Sequence, residues 1–255
     1  MCDNRPMTNA PVDPLVIIEL TNLKAAGELW ELAHHPALAT KPEWMRELAQ
    51  NKHAYIRYWL AQNPAITSCL DVLKKLVCDE DPYVRYWVAE VQDIPYPEII
   101  QTLASDKDHH VRTALARNPA LVVSDKAIAT LAKDRSKRVR WYLSRSATIA
   151  NCPDAVKRLA TDKDWPVRAT LARNPAIAEF PDIVAKLATD ESSWVREALA
   201  RNPAIASYPE VIHVLTKDAD QRIRNSLASN PARPSSTASS NPWQATQPVT
   251  QVPAI

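Results

Sequence analysis

Hydrophobic residues recur along most of this chain with a period of 28 residues. Each period holds a leucine, followed further along by a β-branched residue and an arginine. The leucines are Leu48, Leu76, Leu103, Leu131, Leu159, Leu187 and Leu215. The pairs are Ile56-Arg57, Val84-Arg85, Val111-Arg112, Val139-Arg140, Val167-Arg168, Val195-Arg196 and Ile223-Arg224. Such a period is typical of repeat architectures and predicts seven repeats, beginning at His35, Asn63, Val91, Asn118, Ser146, Asn174 and Asn202.

Each repeat is predicted to contain two short helices. In the sixth repeat the first helix opens at Pro181, because proline suits the first helical position, and Ile183 and Leu187 lie on its apolar face. The second helix carries Val195 on its apolar face and ends before Pro203, since the residue preceding a proline avoids the α region. Each repeat is therefore predicted to be a pair of helices.

A helix pair of this size cannot bury its apolar face alone, whereas stacking on its neighbours buries it. The predicted fold class is therefore all-α, an α-solenoid of about seven 28-residue two-helix repeats with a degenerate N-terminal cap. In that cap Leu29 occupies the place of the recurring arginine. The predicted parts are a flexible N-terminus (1–12), a capping repeat (13–34), the seven-repeat solenoid (35–229) and a disordered Pro/Ser/Thr-rich tail (230–255).

Composition narrows the range of functions. The chain has a single glycine and a formal net charge of +2. Phosphate-binding loops and nucleophile elbows need several glycines at fixed spacing, so they are excluded. The longest uncharged hydrophobic run, Leu15 to Ile18, is too short to cross a membrane, and no basic start with an apolar stretch marks a secretory signal. We expect a cytoplasmic protein without a membrane partner or an evident small-molecule substrate.

The phrases LATDKDWPVRATLARNPAI and LATDESSWVREALARNPAI resemble the leucine-rich repeat variant family. An Asp and a Val-Arg pair in each repeat also resemble the HEAT repeat. Both resemblances cover roughly residues 35–232 and imply an α-solenoid. The repeats are longer than leucine-rich variants usually are, so we expect two α-helices per repeat instead of that family's α-helix and 3₁₀ helix. One member carries an iron–sulfur cluster on N-terminal cysteines, but this chain has only Cys2 in that region, and we expect no cofactor.

An aspartate precedes the recurring arginine by six residues in six of the repeats. These aspartates are Asp79, Asp106, Asp134, Asp162, Asp190 and Asp218, and the first repeat has Asn51 instead. A pair repeated in this way predicts a structural hydrogen-bond ladder that joins neighbouring repeats. We therefore do not expect these arginines to bind a partner.

Three positions of the second helix are expected to face solvent: one residue before the β-branched residue, two after it and six after it. Aromatic residues and arginines, which are favoured at binding hot spots, occupy many of them. The predicted partner-binding residues are Tyr55, Tyr58, Tyr83, Tyr86, Arg117, Arg138, Trp141, Arg145, Arg173, Trp194 and Arg201. The predicted function is a non-catalytic scaffold that binds a protein or peptide. The alternative interpretation of these residues is that the aromatics are scattered on the surface without a binding role and that the arginines stabilise helix C-termini.

Two other functions stay open. Residues 118–145 carry a net charge of +5 and residues 146–173 a net charge of +2, so these repeats could bind nucleic-acid phosphates. The cluster includes Lys133, Arg135, Lys137, Arg138 and Arg145. Some HEAT-like solenoids are DNA glycosylases that use Trp, Asp and Arg, but no motif assigns such residues here. We expect no catalytic residues.

The cysteines and histidines are expected to bind no metal. Cys69 and Cys152 occupy equivalent places three repeats apart, too far to share a metal or a disulfide. The doublets His34-His35 and His109-His110 lack a nearby cysteine or a second helical histidine. Surface histidines are the preferred interpretation.

Overall fold

A computed structural model of the protein describes residues 32–232. Within this range all regular elements are helical, either α or 3₁₀, which confirms the predicted all-α fold class. The chain divides into two compact units, unit 1 ending at Leu131 and unit 2 beginning at Ala132. The boundary falls inside the fourth predicted repeat, between its two helices.

Unit 1 contains the helices of the first three repeats and the first helix of the fourth. Its first helices are α1 (Pro42–Leu48), α3 (Leu70–Leu76), α5 (Pro97–Ala104) and α7 (Asp125–Leu131). Its second helices are α2 (Ala54–Ala61), α4 (Pro82–Glu90) and α6 (His109–Arg117). Three 3₁₀ helices span Pro36–Thr40, Pro64–Ser68 and Pro119–Val123. The second helices pack in chain order, α2 against α4 and α4 against α6.

Unit 2 repeats the same arrangement. Its second helices are α8 (Lys137–Arg145), α10 (Trp165–Arg173), α12 (Ser193–Ala200) and α14 (Gln221–Ala228). Its first helices are α9 (Pro153–Leu159), α11 (Pro181–Ala188) and α13 (Pro209–Thr216). The 3₁₀ helices are Ala147–Asn151, Pro175–Glu179 and Pro203–Ser207. The four second helices again pack in chain order, which confirms the α-solenoid architecture within each unit.

The recurring apolar positions form the core of both units. All seven leucines of the first helices are at most 2% exposed, and all seven β-branched residues of the second helices are 0% exposed. The third column, three residues after each arginine, is equally buried. These residues are Leu60, Val88, Leu115, Leu143, Leu171, Leu199 and Leu227. Because each helix has only two turns, its buried face is covered mainly by neighbouring helices.

Local sequence explains where the helices begin. Five first helices open at the prolines predicted for them, at Pro42, Pro97, Pro153, Pro181 and Pro209. Second helices begin after a short linker, where Asp81, Asp108 and Asp220 act as N-caps whose side chains accept a backbone N–H. These caps satisfy amides that have no partner within the helix.

The prediction of only two helices per repeat was incomplete, because six repeats also contain a 3₁₀ helix. In the seventh repeat, Asn202 is the N-cap of this element: its Oδ1 accepts the N–H of Ala204 at 2.9 Å, and Pro203 holds the first position. The third repeat is one residue shorter and has Val91 in place of the asparagine, and no 3₁₀ helix forms there. The Asn-Pro signal thus ends one helix and begins another.

The described range begins inside the predicted capping repeat, at residue 32, and ends inside the predicted tail, at residue 232. The flexible N-terminus, nearly all of the capping repeat and most of the tail lie outside the described residues. Asn230, placed in the tail by the sequence, donates to the carbonyl oxygens of Ala200 at 2.8 Å and Asn202 at 3.0 Å. The repeat pattern therefore continues past residue 229. From residue 32 to 232, no helix combines the length and the apolarity needed to cross a membrane.

Candidate partner-binding surfaces

The predicted ladder of arginines and aspartates is confirmed, and it joins consecutive repeats. Arg57 donates through Nε and NH2 to the carboxylate of Asp79, at 2.6 and 2.8 Å. Its NH1 donates to the carbonyl oxygen of Asn51, six residues earlier, at 2.7 Å. One guanidinium thus holds its own linker and the aspartate of the next repeat. The same bonding recurs at Arg85, Arg140, Arg168 and Arg196.

Four of the ladder arginines are buried and not available to a partner. Arg57, Arg85, Arg140 and Arg168 are buried, and each has a raised pKa because a neighbouring aspartate accepts its hydrogen bonds. Each of these four guanidinium groups is paired with an aspartate of the next repeat inside the fold.

In unit 1, aromatic side chains lie along successive second helices. Tyr83 is 73% exposed, while Tyr55, Tyr58 and Tyr86 are half-buried. The rings of Tyr58 on α2 and Trp87 on α4 have centroids 6.4 Å apart, so the aromatic surface is continuous from one repeat to the next.

Two tryptophans of this surface were missed by the sequence analysis. Trp59 and Trp87 lie one position beyond the expected middle column and contact its tyrosines, with centroid distances of 4.8 Å (Tyr58–Trp59) and 5.6 Å (Tyr86–Trp87). Helical periodicity alone could have found them, since each lies four residues after Tyr55 or Tyr83 and therefore on the same side of its helix. At the end of α6, Arg117 is exposed, with NH1 4.0 Å from a carboxylate oxygen of Glu90.

The three expected columns differ in their access to solvent. Thr113 in unit 1 and Ala169 and Glu197 in unit 2 belong to the middle column, two residues after the β-branched position, and all three are buried. The middle column lies where neighbouring second helices pack. Its large side chains, Tyr58, Tyr86 and Trp141, are therefore half-buried. The outer columns, by contrast, hold the exposed members of the set.

In unit 2, arginines cover the aromatic rings of α8. The guanidinium of Arg145 lies 5.2 Å from the Trp141 ring, and that of Arg138 lies 5.9 Å from the Tyr142 ring. The two rings meet edge to face at 4.8 Å. Both pairs have the geometry of cation–π contacts. Tyr142 was not among the predicted residues, because it lies outside the three columns.

Farther along unit 2, two tryptophans stack across a repeat boundary. Trp165 of α10 and Trp194 of α12 have centroids 6.0 Å apart and planes inclined by 20°. They are 45% and 49% exposed, and Arg222 lies over Trp194 at 5.1 Å. Trp165 was missed by the sequence analysis because it lies two residues before the β-branched position.

The arginines at the ends of the second helices differ in their bonding. Arg173 is exposed at the end of α10. Arg201, after α12, donates to Glu197 Oε1 at 2.5 Å and to Ser226 Oγ at 3.1 Å. Glu197, Arg201 and Ser226 line an open pocket of about 600 Å³ beside α14. The charge of the Glu197 carboxylate is thus balanced by Arg201, which lines the same pocket.

The described cysteines that are free are poor reaction sites. Cys69 and Cys152 are both buried thiols. Burial raises the pKa of Cys69 to about 11, and its hydrogen bond to Asp71 adds to the effect. A thiol with this pKa stays protonated and weakly nucleophilic at neutral pH.

One group of side chains has the spacing of metal ligands. Asp108, His109 and His110 place one ligand atom each within 4.8 Å of one another at the start of α6, where both histidines are exposed. The Oδ1 atom of Asp108 already accepts the N–H of His110 as an N-cap. All three residues come from a single exposed turn, and the sequence analysis assigned no metal to them.

No family model matches this chain, and no curated protein matches it. Among solved structures, it is similar to YibA from Escherichia coli, at 14% identity over 75% of this chain and 85% of that one, with a TM-score of 0.44. It is also similar to a leucine-rich repeat variant, at 19% identity over 88% and 99% of the two chains, with a TM-score of 0.42. An engineered protein matches at 20% identity over 78% and 94%, with a TM-score of 0.33.

This chain is a helical-repeat protein. The architecture expected from the resemblance in its repeats is established by its own helices and ladder. The likeness to the solved structures is too low, in identity and in TM-score, to carry a conclusion about function.

Proposed function

We propose that this protein is a non-catalytic helical-repeat scaffold that binds a protein or peptide partner through the second helices of its repeats. The observation that carries the proposal is that exposed or half-buried aromatic side chains contact each other across repeat boundaries. Trp165 and Trp194 form such a contact in unit 2, and Tyr58 and Trp87 form one in unit 1.

The energetics of these side chains support binding. Folding leaves Tyr83, Trp165 and Trp194 about half exposed or more, so much of their apolar surface remains in contact with water. Aromatic side chains with arginines beside them are enriched at the energetic centres of protein interfaces. A partner that covered the Trp165–Trp194 stack would bury this surface without any reordering of the two rings.

The ladder accounts for residue types that otherwise suggested an enzyme. Some HEAT-like DNA glycosylases use Trp, Asp and Arg, and in this chain Asp and Arg residues form buried pairs between repeats, as in Arg140–Asp162 and Arg168–Asp190. A sensitive assay of base release from alkylated DNA tests the non-catalytic proposal. Release of bases by the purified protein would contradict it.

The binding proposal is tested by capturing partners from a cell extract with the full chain. The test variant is Trp165→Ser with Trp194→Ser. The matched control is Val214→Ser, because Val214 lies on the first helix α13 and is 43% exposed. We expect the tryptophan variant to capture about tenfold less partner than the wild type, or less still, as is typical of hot-spot residues. The control should capture as much partner as the wild type.

Circular dichroism of each variant separates lost binding from lost structure. Exposed positions tolerate substitution with little change in stability, so both variants should remain helical. Equal recovery of the same proteins by the wild type, the tryptophan variant and the control would show that this surface does not bind the partner.

A further inference from the structure

Exposed cations are concentrated at the start of α8. Lys133, Arg135, Lys137 and Arg138 fall within six consecutive residues, and each has an exposed side chain. We name these four residues the α8 cation cluster. The acid that lies among them, Asp134, uses Oδ1 to accept the N–H of Ser136 at 2.7 Å.

The acids of the following linker do not neutralise the cluster either. Asp162 and Asp164 both accept hydrogen bonds from Arg140, at 2.5 and 2.7 Å. Arg140 is a buried ladder residue and not a member of the cluster. Within residues 32–232 these two acids are bound by Arg140, so the positive charge of the cluster is left for solvent or a ligand.

The dipole of α8 does not favour cations at this position. The N-terminal end of a helix is its positive end, where acidic side chains stabilise and basic ones destabilise. Three other second helices have an aspartate N-cap here, Asp81, Asp108 and Asp220. Like α2, α10 and α12, α8 has no side-chain capping bond at this end, but it opens with two cations, Lys137 and Arg138. An anion bound at this end would relieve the repulsion.

The neighbouring rings indicate which kind of anion fits. Proteins that bind single-stranded nucleic acid stack bases on open aromatic faces along a basic groove. On α8, Arg145 covers Trp141, Arg138 covers Tyr142, and the two rings contact each other. The next second helix, α10, has Trp165 and Pro166 in the places of Lys137 and Arg138, so the two cations that open α8 are not repeated there. A compact set of carboxylates fits this arrangement better than a nucleic-acid backbone.

We propose that the α8 cation cluster binds a short acidic segment, rich in Asp and Glu, of the protein partner. This inference rests on the proposed function, since it assigns the partner a chemical character. Arginine and lysine side chains would pair with the carboxylates, and the free amides of the first turn of α8 would contribute to the same site.

The experiment measures binding of a fluorescein-labelled peptide of alternating Glu and Ser to the full chain. The test variant is Lys137→Gln with Arg138→Gln. The matched control is Lys157→Gln with Arg158→Gln, which removes the same charge from exposed positions on α9 in the same unit. We expect the test variant to weaken peptide binding by about tenfold and the control to leave it unchanged. The thermal midpoint of the test variant should change little, because the repulsion removed from the helix end offsets the lost contact of Arg138 with Tyr142.

The outcomes separate this inference from the proposed function. Equal peptide binding by the two variants, or tighter binding of a single-stranded oligonucleotide than of the acidic peptide, would overturn the inference. If partner capture depends on Trp165 and Trp194 but the acidic peptide does not bind, the inference fails while the proposed function stands. If the peptide binds as expected but the tryptophan variant captures the partner normally, the cluster still binds acidic segments and the proposed aromatic surface fails.

Discussion

Arg168 of α10 forms a two-pronged pair with Asp190 of the next repeat, with Nε–Oδ2 at 2.7 Å and NH2–Oδ1 at 2.8 Å. The remaining NH1 group donates to the carbonyl oxygen of Asp162 at 2.7 Å. One buried side chain thus connects two linkers, and the planar guanidinium suits this task better than a lysine ammonium would.

Replacing Arg168 with methionine should lower the free energy of unfolding by about 3–5 kcal/mol, because Asp190 would be left buried without its cation. Urea unfolding followed by circular dichroism measures the effect. Arg224→Met is the control: Arg224 donates to the carbonyl oxygen of Asp218 and to Gln221, and within residues 32–232 it has no carboxylate partner. A similar loss for both variants would contradict the role assigned to the pair.

The asparagine column forms a second connection between repeats. Asn202 donates through Nδ2 to the carbonyl oxygens of Ala172 at 2.8 Å and Asn174 at 3.2 Å, and it is 1% exposed. Asn202→Ala should cost about 1–3 kcal/mol, because two buried carbonyl oxygens lose a donor. The exposed Asn225 provides the control, and Asn225→Ala should stay within about 0.5 kcal/mol of the wild type in the same unfolding measurement.

Two truncations test where the repeat pattern ends. Removing residues 233–255 should leave the thermal midpoint nearly unchanged. Removing residues 230–255 should lower it, because Asn230 would no longer donate to the carbonyl oxygens of Ala200 and Asn202. Differential scanning calorimetry compares the two with the full chain. An equal decrease for both truncations would place stabilising contacts after residue 232.

Lowering the pH should destabilise unit 2 by protonating Asp218, the aspartate paired with Arg196. Burial by itself would raise the pKa of Asp218, but hydrogen bonds from Arg196 and from the N–H of Asp220 outweigh it and lower that pKa. The pKa of Asp220 is lowered to about 2 by its hydrogen bonds from Arg222. A carboxyl group whose pKa is lower in the folded state than in the unfolded state stabilises the fold at pH values above the unfolded pKa. This stabilisation is lost as the pH falls through the folded value.

We therefore expect stability to fall between about pH 4, the ordinary aspartate pKa, and the lower pKa of the folded state. The variant Asp218→Asn should be less stable at neutral pH and should lose less stability on acidification. Urea unfolding across this pH range measures both effects. The exposed Asp182 gives the control, since Asp182→Asn should keep the wild-type pH dependence. An unchanged acid response in Asp218→Asn would contradict the prediction.

The ladder shows how much of the fold the repeats encode. Arg168 and Asp190 are separated by 22 residues, as are Arg57 and Asp79. In the sequence, Leu29 of the predicted capping repeat precedes Asn51 by the same 22 residues, so neutral residues stand in both of these positions. What the sequence analysis missed was the 3₁₀ helix, because Asn-Pro was interpreted only as a helix end.

The candidate surfaces were less predictable. Periodicity placed Trp194 and Tyr83 on the outer side of their helices, and both are exposed. It could not show that Glu197, in the middle column, would be buried beside Arg201 and Ser226. That outcome depends on how closely α12 and α14 approach each other, which the pattern of one helix does not contain.

The amino-acid sequence alone determined the repeat, its helices and its buried columns, because these depend on residues close together in the chain and on a periodicity that can be counted. The tertiary structure decided which aspartate each arginine binds, which column the next helix covers, and which rings stack across a repeat boundary. Each of these depends on distances between residues of different repeats. Such distances are fixed only when the helices pack.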